Sequence, residues 1–183
     1  YFVSYYDYYQ PEAYIPSTDT YIDKDRSING EIDRLRLSAT AALLSGRKDV
    51  IVVSSVSCIY GLGSPQDMSA QSIHLRVGDL LPMDDFLKML VAAQYIRNDI
   101  ELTRGRFRVK GDTVDIALAY AEIVVRVEFF GNEIDSISEV NTLMGTEGMQ
   151  FAEYNISPAT IFVTSRERID AAMGQIKLDL ANQ

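Results

Sequence analysis

The fold of the middle of this chain is decided by one stretch, Arg106-Phe107-Arg108-Val109-Lys110-Gly111-Asp112-Thr113-Val114-Asp115-Ile116. Apolar and basic residues alternate through its first half, and this period of two predicts a strand with one buried face. The pair Gly111-Asp112 is typical of a tight hairpin turn. The alternation resumes at Val114 and Ile116, so the stretch predicts two antiparallel strands.

Similar segments flank this hairpin on both sides. Further strands are predicted at residues 73–77, at 125–129 and, after the turn pair Gly131-Asn132, around Ile134. Pro82 with the acids that follow it predicts a helix start, and the apolar residues behind it have helical spacing: Phe86, Leu87, Leu90 and Ala93. We expect residues 161–163 to close a small α+β domain with a mainly antiparallel sheet.

The segments before and after this domain have a different pattern. Apolar residues recur at helical spacing from Ile28 to Ala42, Asn29 can cap this helix, and Gly46 can end it. The run Val50-Ile51-Val52-Val53 has the composition of a strand covered on both faces in a parallel sheet. At the other end, Thr164 and Glu167 form a capping box for a last helix that bears four spaced apolar residues, Ile169, Met173, Ile176 and Leu180. These outer segments predict an α/β layer.

Composition excludes several classes of protein. The 183 residues include 17 Lys and Arg against 26 Asp and Glu, for a net charge of −9, and only one Cys and one His. One Cys excludes an internal disulfide framework, and these counts argue against Cys- or His-based metal sites. No apolar stretch approaches the roughly 20 residues of a membrane span, so we expect no membrane contact. A single reduced Cys58 is typical of a cytosolic protein, so we expect a cytoplasmic location. The chain begins Tyr1-Phe2-Val3, as if within a strand, which predicts that it is part of a longer protein.

The strongest functional signal is a cluster of tyrosines near the start. Seven of the eleven tyrosines lie within the first 21 positions, interrupted by Pro11 and Pro16. Two strand-like arms around an irregular tip are predicted. Packed strand aromatics are the ordinary interpretation. However, burying so many phenolic hydroxyls is unfavourable, and an exposed aromatic ladder suits stacking against unpaired nucleobases.

A second signal is a basic stretch at residues 97–110, which carries a net charge of +3 in an acidic chain. Arg106, Arg108 and Lys110 share one parity of a strand and should project from one face. A solvated sheet face, a nucleic-acid contact and a docking surface for an acidic protein patch are all compatible with this pattern.

No catalytic set stands out. The sequence has no GxxxxGK[ST] phosphate loop, and residues 61–66 begin like a dinucleotide fingerprint but have Gln66 where its third glycine belongs. A triad from Ser54, Ser57 or Cys58 with His74 is conceivable, but His74 falls in an alternating strand and is better explained as a strand residue. Asp84 and Asp85 are better explained as favourable charge at a helix N-terminus.

Several stretches together resemble one family. They are residues 1–16, Asp19-Thr20-Tyr21-Ile22, Arg36-Leu37-Ser38-Ala39-Thr40, Ile59-Tyr60-Gly61-Leu62-Gly63, Arg97-Asn98-Asp99, Arg104-Gly105, Phe107-Arg108-Val109 and Thr164-Ser165-Arg166-Glu167-Arg168-Ile169. This set closely resembles the UvrB family, the helicase-like, damage-verifying subunits of the bacterial UvrABC excinuclease. The resemblance covers essentially the whole chain.

The resemblance implies a domain organisation. It implies a tyrosine-rich β-hairpin at residues 1–29, part of a RecA-like helicase domain at 30–69, an inserted UvrA-interacting domain at 70–163 and a return helix at 164–183. The expected fold class is therefore α/β plus α+β.

It also implies roles and partners. The hairpin tyrosines would contact DNA: Tyr5, Tyr6, Tyr8, Tyr9, Tyr14 and Tyr21. The UvrA contacts would be Arg97, Arg108, Lys110, Arg126 and Glu128, with Lys110 replacing an Arg of the family. UvrA, damaged DNA and, through the parent protein, UvrC are the implied partners in nucleotide excision repair and the SOS response. ATP and Mg²⁺ would belong to the parent protein, an ATPase. We expect this chain itself to bind neither and to have no enzymatic activity.

Three alternatives remain. The UvrB-like module of a transcription-repair coupling factor would also bind UvrA, but should lack the tyrosine-rich hairpin. A small α/β hydrolase and a pure protein-docking domain are the other two.

Overall fold

The structure, a computed structural model, describes residues 13–22, 30–54, 58, 63–140, 147–162 and 166–181. Two compact units divide the chain, Tyr1–Leu62 and Gly63–Gln183. The expected division into four domains remains a prediction.

The first unit contains a short hairpin and a helix. Strands β1 (Ala13–Ile15) and β2 (Thr20–Ile22) pair antiparallel. Helix α1 spans Gly30–Leu44, and Gly46 follows it with a φ of +77°. This conformation is natural for glycine after a helix, so the predicted helix and its stop are confirmed. The predicted cap, Asn29, lies outside the described residues.

The strand predicted at Val50-Ile51-Val52-Val53 is wrong. These residues form no strand, and Ile51 is 88% exposed. A buried parallel strand needs a hydrogen-bonded strand on each side, and no described strand pairs with this segment. Instead, residues 50–52 and α1 line a cleft of ≈190 Å³.

The second unit is built on a six-stranded sheet. Its strands are β4 (Ile96–Arg97), β5 (Arg106–Lys110), β6 (Thr113–Ala117), β7 (Val124–Phe130), β8 (Glu133–Val140) and β9 (Glu147–Gln150). They lie in the order β4-β5-β6-β7-β8-β9, with one parallel pair, β4 with β5, and antiparallel pairs elsewhere. The mainly antiparallel α+β architecture predicted for this region is confirmed.

Turn chemistry positions the central strands. Lys110 pairs with Thr113 across Gly111-Asp112, and Gly111 has a φ of +59°. Glycine adopts this conformation without steric cost, so the turn and its register are set locally. The second predicted turn, Gly131-Asn132, joins β7 to β8 in the same way.

One helix covers the inner face of this sheet. Helix α3 (Met83–Ala92) buries Phe86 and Leu90 against apolar residues of the central strands, including Ile116 and Val127. Asp84 and Asp85 lie in its first turn, as predicted. Because this face is apolar and covered, the polar side chains of the same strands are left on the opposite face.

A second, smaller sheet pairs β3 (Ile73–Arg76) with β10 (Glu153–Ile156), which joins strands far apart in sequence. The alternation predicted for this strand is confirmed as far as Arg76, since Ile73 and Leu75 are buried while His74 and Arg76 are exposed. Val77, the last apolar residue of the predicted pattern, lies beyond β3 and is 41% exposed. Tyr95, on the loop after α3, donates a buried hydrogen bond from its hydroxyl to the carbonyl oxygen of Ser157 at 2.9 Å. Burial raises the pKa of Tyr95 well above its ordinary value.

The two ends of the second unit lie side by side. Helix α2 (Pro65–Ala70) begins just after Gly63, where a Cβ would overlap the carbonyl oxygen of Ile161. Helix α4 (Arg166–Ala181) is joined to α2 by an ion pair of 2.7 Å from Arg168 Nη1 to Asp67 Oδ2. The predicted last helix is confirmed by these bounds, whereas Thr164 of its predicted capping box lies outside the described residues. Its spaced apolar side chains are exposed: Ile169, Met173, Ile176 and Leu180.

Candidate interaction sites

The outer face of the large sheet collects most of the predicted docking residues. We use "outer face" for three rows of directly paired residues. One row is Lys110, Thr113, Glu128 and Ser136; the central row is Arg108, Asp115, Arg126 and Ser138; the last is Arg106, Ala117, Val124 and Val140. Side chains in each row are neighbours, because paired residues of adjacent strands project to the same side.

Asp115 is the centre of this face. Its side chain is only 3% exposed. Arg108 donates to Asp115 Oδ2 from Nε at 2.9 Å and from Nη2 at 2.8 Å. Arg126 donates from Nε to Oδ1 at 2.8 Å and from Nη2 to Oδ2 at 3.2 Å. Two guanidinium groups, from the strands on either side of β6, thus hold the Asp115 carboxylate.

The charge state of Asp115 follows from these contacts. Burial acts to raise the pKa of Asp115, but the hydrogen bonds and positive charges of Arg126 and Arg108 outweigh it and lower that pKa below its ordinary value of 3.8. The carboxylate is therefore ionised at neutral pH, and each arginine keeps an ionic partner.

The ends of the outer face differ in character. Lys110 is exposed at the end of β5, and Glu128 accepts a hydrogen bond of 2.7 Å from the hydroxyl of Ser136. At the other end, Val124 and Val140 form a small apolar cluster with Ala117, against which Leu102 packs. The outer face therefore has exposed charge at the Lys110 end, buried ion pairs around Asp115 in its central row, and an apolar cluster around Val124 at the other end.

Arg97 lies at the sheet edge, outside the three rows. It pairs in register with Phe107, and its Nη2 lies 3.1 Å from Asp99 Oδ2. Asp99 Oδ1 in turn accepts a hydrogen bond of 3.0 Å from the backbone N–H of Val109. That bond, together with Arg97, lowers the pKa of Asp99. Asp99 thus links Arg97 to the backbone of β5 at Val109.

The hairpin brings two of the predicted DNA-contacting tyrosines together. Tyr14 and Tyr21 are directly paired, and their ring centroids lie 4.6 Å apart at an interplanar angle of 32°. Tyr14 is 45% exposed and Tyr21 62%. The pair forms one accessible aromatic surface.

The hairpin tip orients Tyr14. The backbone N–H of Thr18 donates to the carbonyl oxygen of Ile15 at 3.3 Å, closing a turn that contains Pro16. Asp19, with a φ of +47°, accepts a hydrogen bond of 2.9 Å from the Tyr14 hydroxyl. That bond raises the pKa of Tyr14, so the phenol stays protonated at neutral pH.

Comparison with known proteins decides the family. Residues 73–162, which contain the whole outer face, match the family model described as the UvrB interaction domain. Over all 183 residues the chain is 56% identical to UvrABC system protein B of Bacteroides thetaiotaomicron and 57% identical to that of Corynebacterium diphtheriae. The chain belongs to the UvrB family. It spans 27% of the length of each of these two UvrB relatives.

The outer face brings together four of the five residues predicted to contact UvrA: Arg108, Lys110, Arg126 and Glu128. The fifth, Arg97, is at the neighbouring edge. Of the tyrosines, Tyr14 and Tyr21 are described, whereas Tyr5, Tyr6, Tyr8 and Tyr9 lie outside the described residues. Sequence reasoning missed Asp115. The sequence did contain a signal for it, because Asp115 is an acid at a polar position in the alternating pattern of β6, next to the predicted basic strand.

The hydrolase alternative gains no support from the described residues. His74 is an exposed strand residue whose Nε2 lies 4.0 Å from Glu153 Oε2, and Cys58 is buried. The UvrB-like module of a transcription-repair coupling factor should lack the tyrosine-rich hairpin. In this chain Tyr14 and Tyr21 are paired in a formed hairpin, which disfavours that alternative.

That this chain itself binds neither ATP nor Mg²⁺ stays a prediction. The sequence has no GxxxxGK[ST] loop, and in the part of the chain that the structure describes no three His, Cys, Asp or Glu side chains are grouped to hold a metal ion. Among the described helices, none has the length and apolar character needed to cross a membrane.

Proposed function

We propose that this chain belongs to a nucleotide excision repair subunit that docks on UvrA through the outer face of its large sheet. The observation that carries this proposal is the ionic centre of that face, Arg108 and Arg126 around Asp115, inside the region that matches the UvrB interaction domain. Arginine is the preferred cation of protein interfaces because its planar fork binds carboxylates with defined geometry.

The docking residues do not all suit the same experiment. Reversing Arg108 or Arg126 would leave the buried Asp115 carboxylate beside a second acid, so lost binding could not be separated from a lost fold. Lys110 is exposed, and it is the better probe.

The test is a titration of the full chain with purified UvrA. Lys110→Glu should weaken binding about tenfold, because the introduced carboxylate would face acidic groups of UvrA at the rim of the proposed interface. Lys88→Glu is the matched control, since Lys88 is exposed on α3, which covers the opposite face of the sheet. Equal affinity of the Lys110→Glu variant and the unchanged chain would remove the docking assignment.

We propose further that the hairpin probes a DNA strand by stacking. The exposed pair of Tyr14 and Tyr21 supports this role, since bases stack on aromatic rings with little sequence preference. The same role is proposed for the tyrosines known only from the sequence, Tyr5, Tyr6, Tyr8 and Tyr9. In the full-length protein, Tyr8→Ala with Tyr9→Ala should impair incision of damaged DNA and leave UvrA binding intact. Normal incision by that variant would contradict the stacking role.

We also propose that residues 30–69 and 164–183 belong to a RecA-like helicase layer that the docking domain interrupts. The close approach of Gly63 to Ile161 and the ion pair between Asp67 and Arg168 support it, because an inserted domain must begin and end at neighbouring points. UvrC, ATP and Mg²⁺ are proposed for the parent protein, and the cytoplasmic location remains a prediction.

For this chain we expect neither tight ATP binding nor hydrolysis, because it lacks the residues of a phosphate loop. A Mg²⁺-dependent ATPase assay on the pure chain checks this. Measurable turnover would contradict the expectation.

A further inference from the structure

The contact between Arg108 and Asp115 uses only one edge of the guanidinium. Both bonds run to the same oxygen, Asp115 Oδ2, from Nε and from Nη2. A guanidinium carries five N–H donors, and the edge formed by Nη1 and Nη2 is the one that binds a second carboxylate through two parallel bonds. Among the described residues, no hydrogen bond is made by Nη1 of Arg108.

Asp115 restricts how Arg108 can move. The carboxylate is almost fully buried and is held by Arg126 from the next strand, so it is a fixed acceptor. Arg108 retains 27% exposure of its side chain, which leaves part of the guanidinium at the surface. A free arginine would lose rotamer entropy on binding a partner, whereas one that is already held loses less.

We propose that Asp115 is a positioning residue that orients Arg108 so that its Nη1 and Nη2 atoms bind an aspartate or glutamate carboxylate of UvrA. This inference rests on the proposed docking function and adds the chemistry of the contact. It assigns recognition to the geometry of the guanidinium, beyond its charge alone.

Two substitutions separate geometry from charge. Arg108→Lys keeps the charge but loses the planar fork, so the affinity for UvrA should fall about tenfold while its dependence on salt is unchanged. Asp115→Asn keeps the size of the side chain but loses the charge that holds Arg108, and should weaken binding by a similar factor. If Asp115 acts through Arg108, the double variant should be weakened about tenfold as well, and not a hundredfold.

Two control variants remove the simpler explanations. Asp85→Asn removes one exposed carboxylate from α3 on the far side of the sheet and should bind normally. Ile116→Val lowers stability from the core side of the same strand, so it shows what a loss of stability alone does to binding. All variants are titrated with purified UvrA at a temperature where circular dichroism shows them folded.

Each outcome decides something. Tenfold losses that do not multiply, with normal binding by both controls, support the proposal. Unchanged affinity of Arg108→Lys overturns it, and this variant remains informative if Asp115→Asn fails to fold. A hundredfold loss in the double variant, or an equal loss for Ile116→Val, also overturns it. Failure of the unchanged chain to bind UvrA would instead remove the proposed function itself, and this inference with it.

Discussion

The hairpin of β1 and β2 and the outer face of the large sheet both present residues that we propose to bind partners, but the two surfaces position these residues differently. In the hairpin, Tyr14 is positioned by Asp19, five residues away, and both tyrosine rings remain exposed. On the outer face, Arg126 is positioned by Asp115 on the neighbouring strand, over a covered apolar core. The hairpin surface thus depends on local contacts, whereas the outer face depends on correct pairing of several strands.

This difference has a consequence for mutation. A change in the hairpin should alter binding without altering the stability of the second unit, because its side chains are exposed. A change at the centre of the outer face should alter both, because the carboxylate there is buried among its partners.

Replacing Arg108 and Arg126 together by glutamate should lower the free energy of unfolding of the second unit by about 3–5 kcal/mol, since a buried carboxylate would lose both partners and gain two like charges. Urea denaturation measures this. Lys110→Glu, at the exposed end of the same face, should change stability by less than about 0.5 kcal/mol. Equal stability of the double variant and the unchanged chain would show that the ionic centre does not hold the face together.

Replacing Tyr14 and Tyr21 together by alanine should weaken binding of fluorescent single-stranded DNA by about 1–3 kcal/mol per stacked base. Unfolding of the second unit should be unchanged. Ile15→Ala is the matched control, because Ile15 alternates with Tyr14 on β1 and lies on the other side of the hairpin. If the control weakens DNA binding as much as the tyrosine variant, the effect comes from the hairpin backbone and stacking is excluded.

Acid should destabilise the outer face through Asp115. Its pKa is lower in the folded state than the ordinary 3.8, so its contribution to stability is complete above that value and is lost as the pH falls through the folded pKa. Denaturation of the unchanged chain and of Asp115→Asn should therefore converge in stability as the pH falls below about 3.8. A stability difference that stays constant down to pH 2 would show that ionisation of Asp115 is not what stabilises this face.

The smallest effect is expected at Asp19. Asp19→Asn should bring the pKa of Tyr14 back toward 10.0, because the carboxylate acceptor is lost, and should change stability by less than about 0.5 kcal/mol, as both groups are exposed. Carbon-13 chemical shifts of labelled tyrosine rings, followed through a pH titration, measure this.

Local sequence patterns predicted the elements whose signals are complete within a few residues. The hairpin of β5 and β6 was predictable because alternation and Gly111-Asp112 together set its register. Helix α3 was predictable because Pro82, the acidic first turn and the apolar spacing agree. The run Val50-Ile51-Val52-Val53 failed because a buried strand exists only beside other strands, and no local signal reports those neighbours.

Two of the elements that were missed, β4 and β10, depend on distant partners. Strand β4 has two residues and is defined only by its parallel pairing with β5. Strand β10 is defined by β3, about 80 positions earlier in the chain. Helix α2 was obscured by Gly63 and Pro65, which look like breaks, although Pro65 occupies the first turn of the helix.

By itself, the sequence determined the family, the tyrosine cluster and the basic parity of β5, because each is visible in the residues alone. Only the tertiary structure decided that Asp115 lies between Arg108 and Arg126. Those arginines are 18 positions apart, and they meet because β6 pairs with β5 on one side and β7 on the other. The physical reason is that strand pairing brings side chains from separate segments within bonding distance, and burial then makes their charges interdependent.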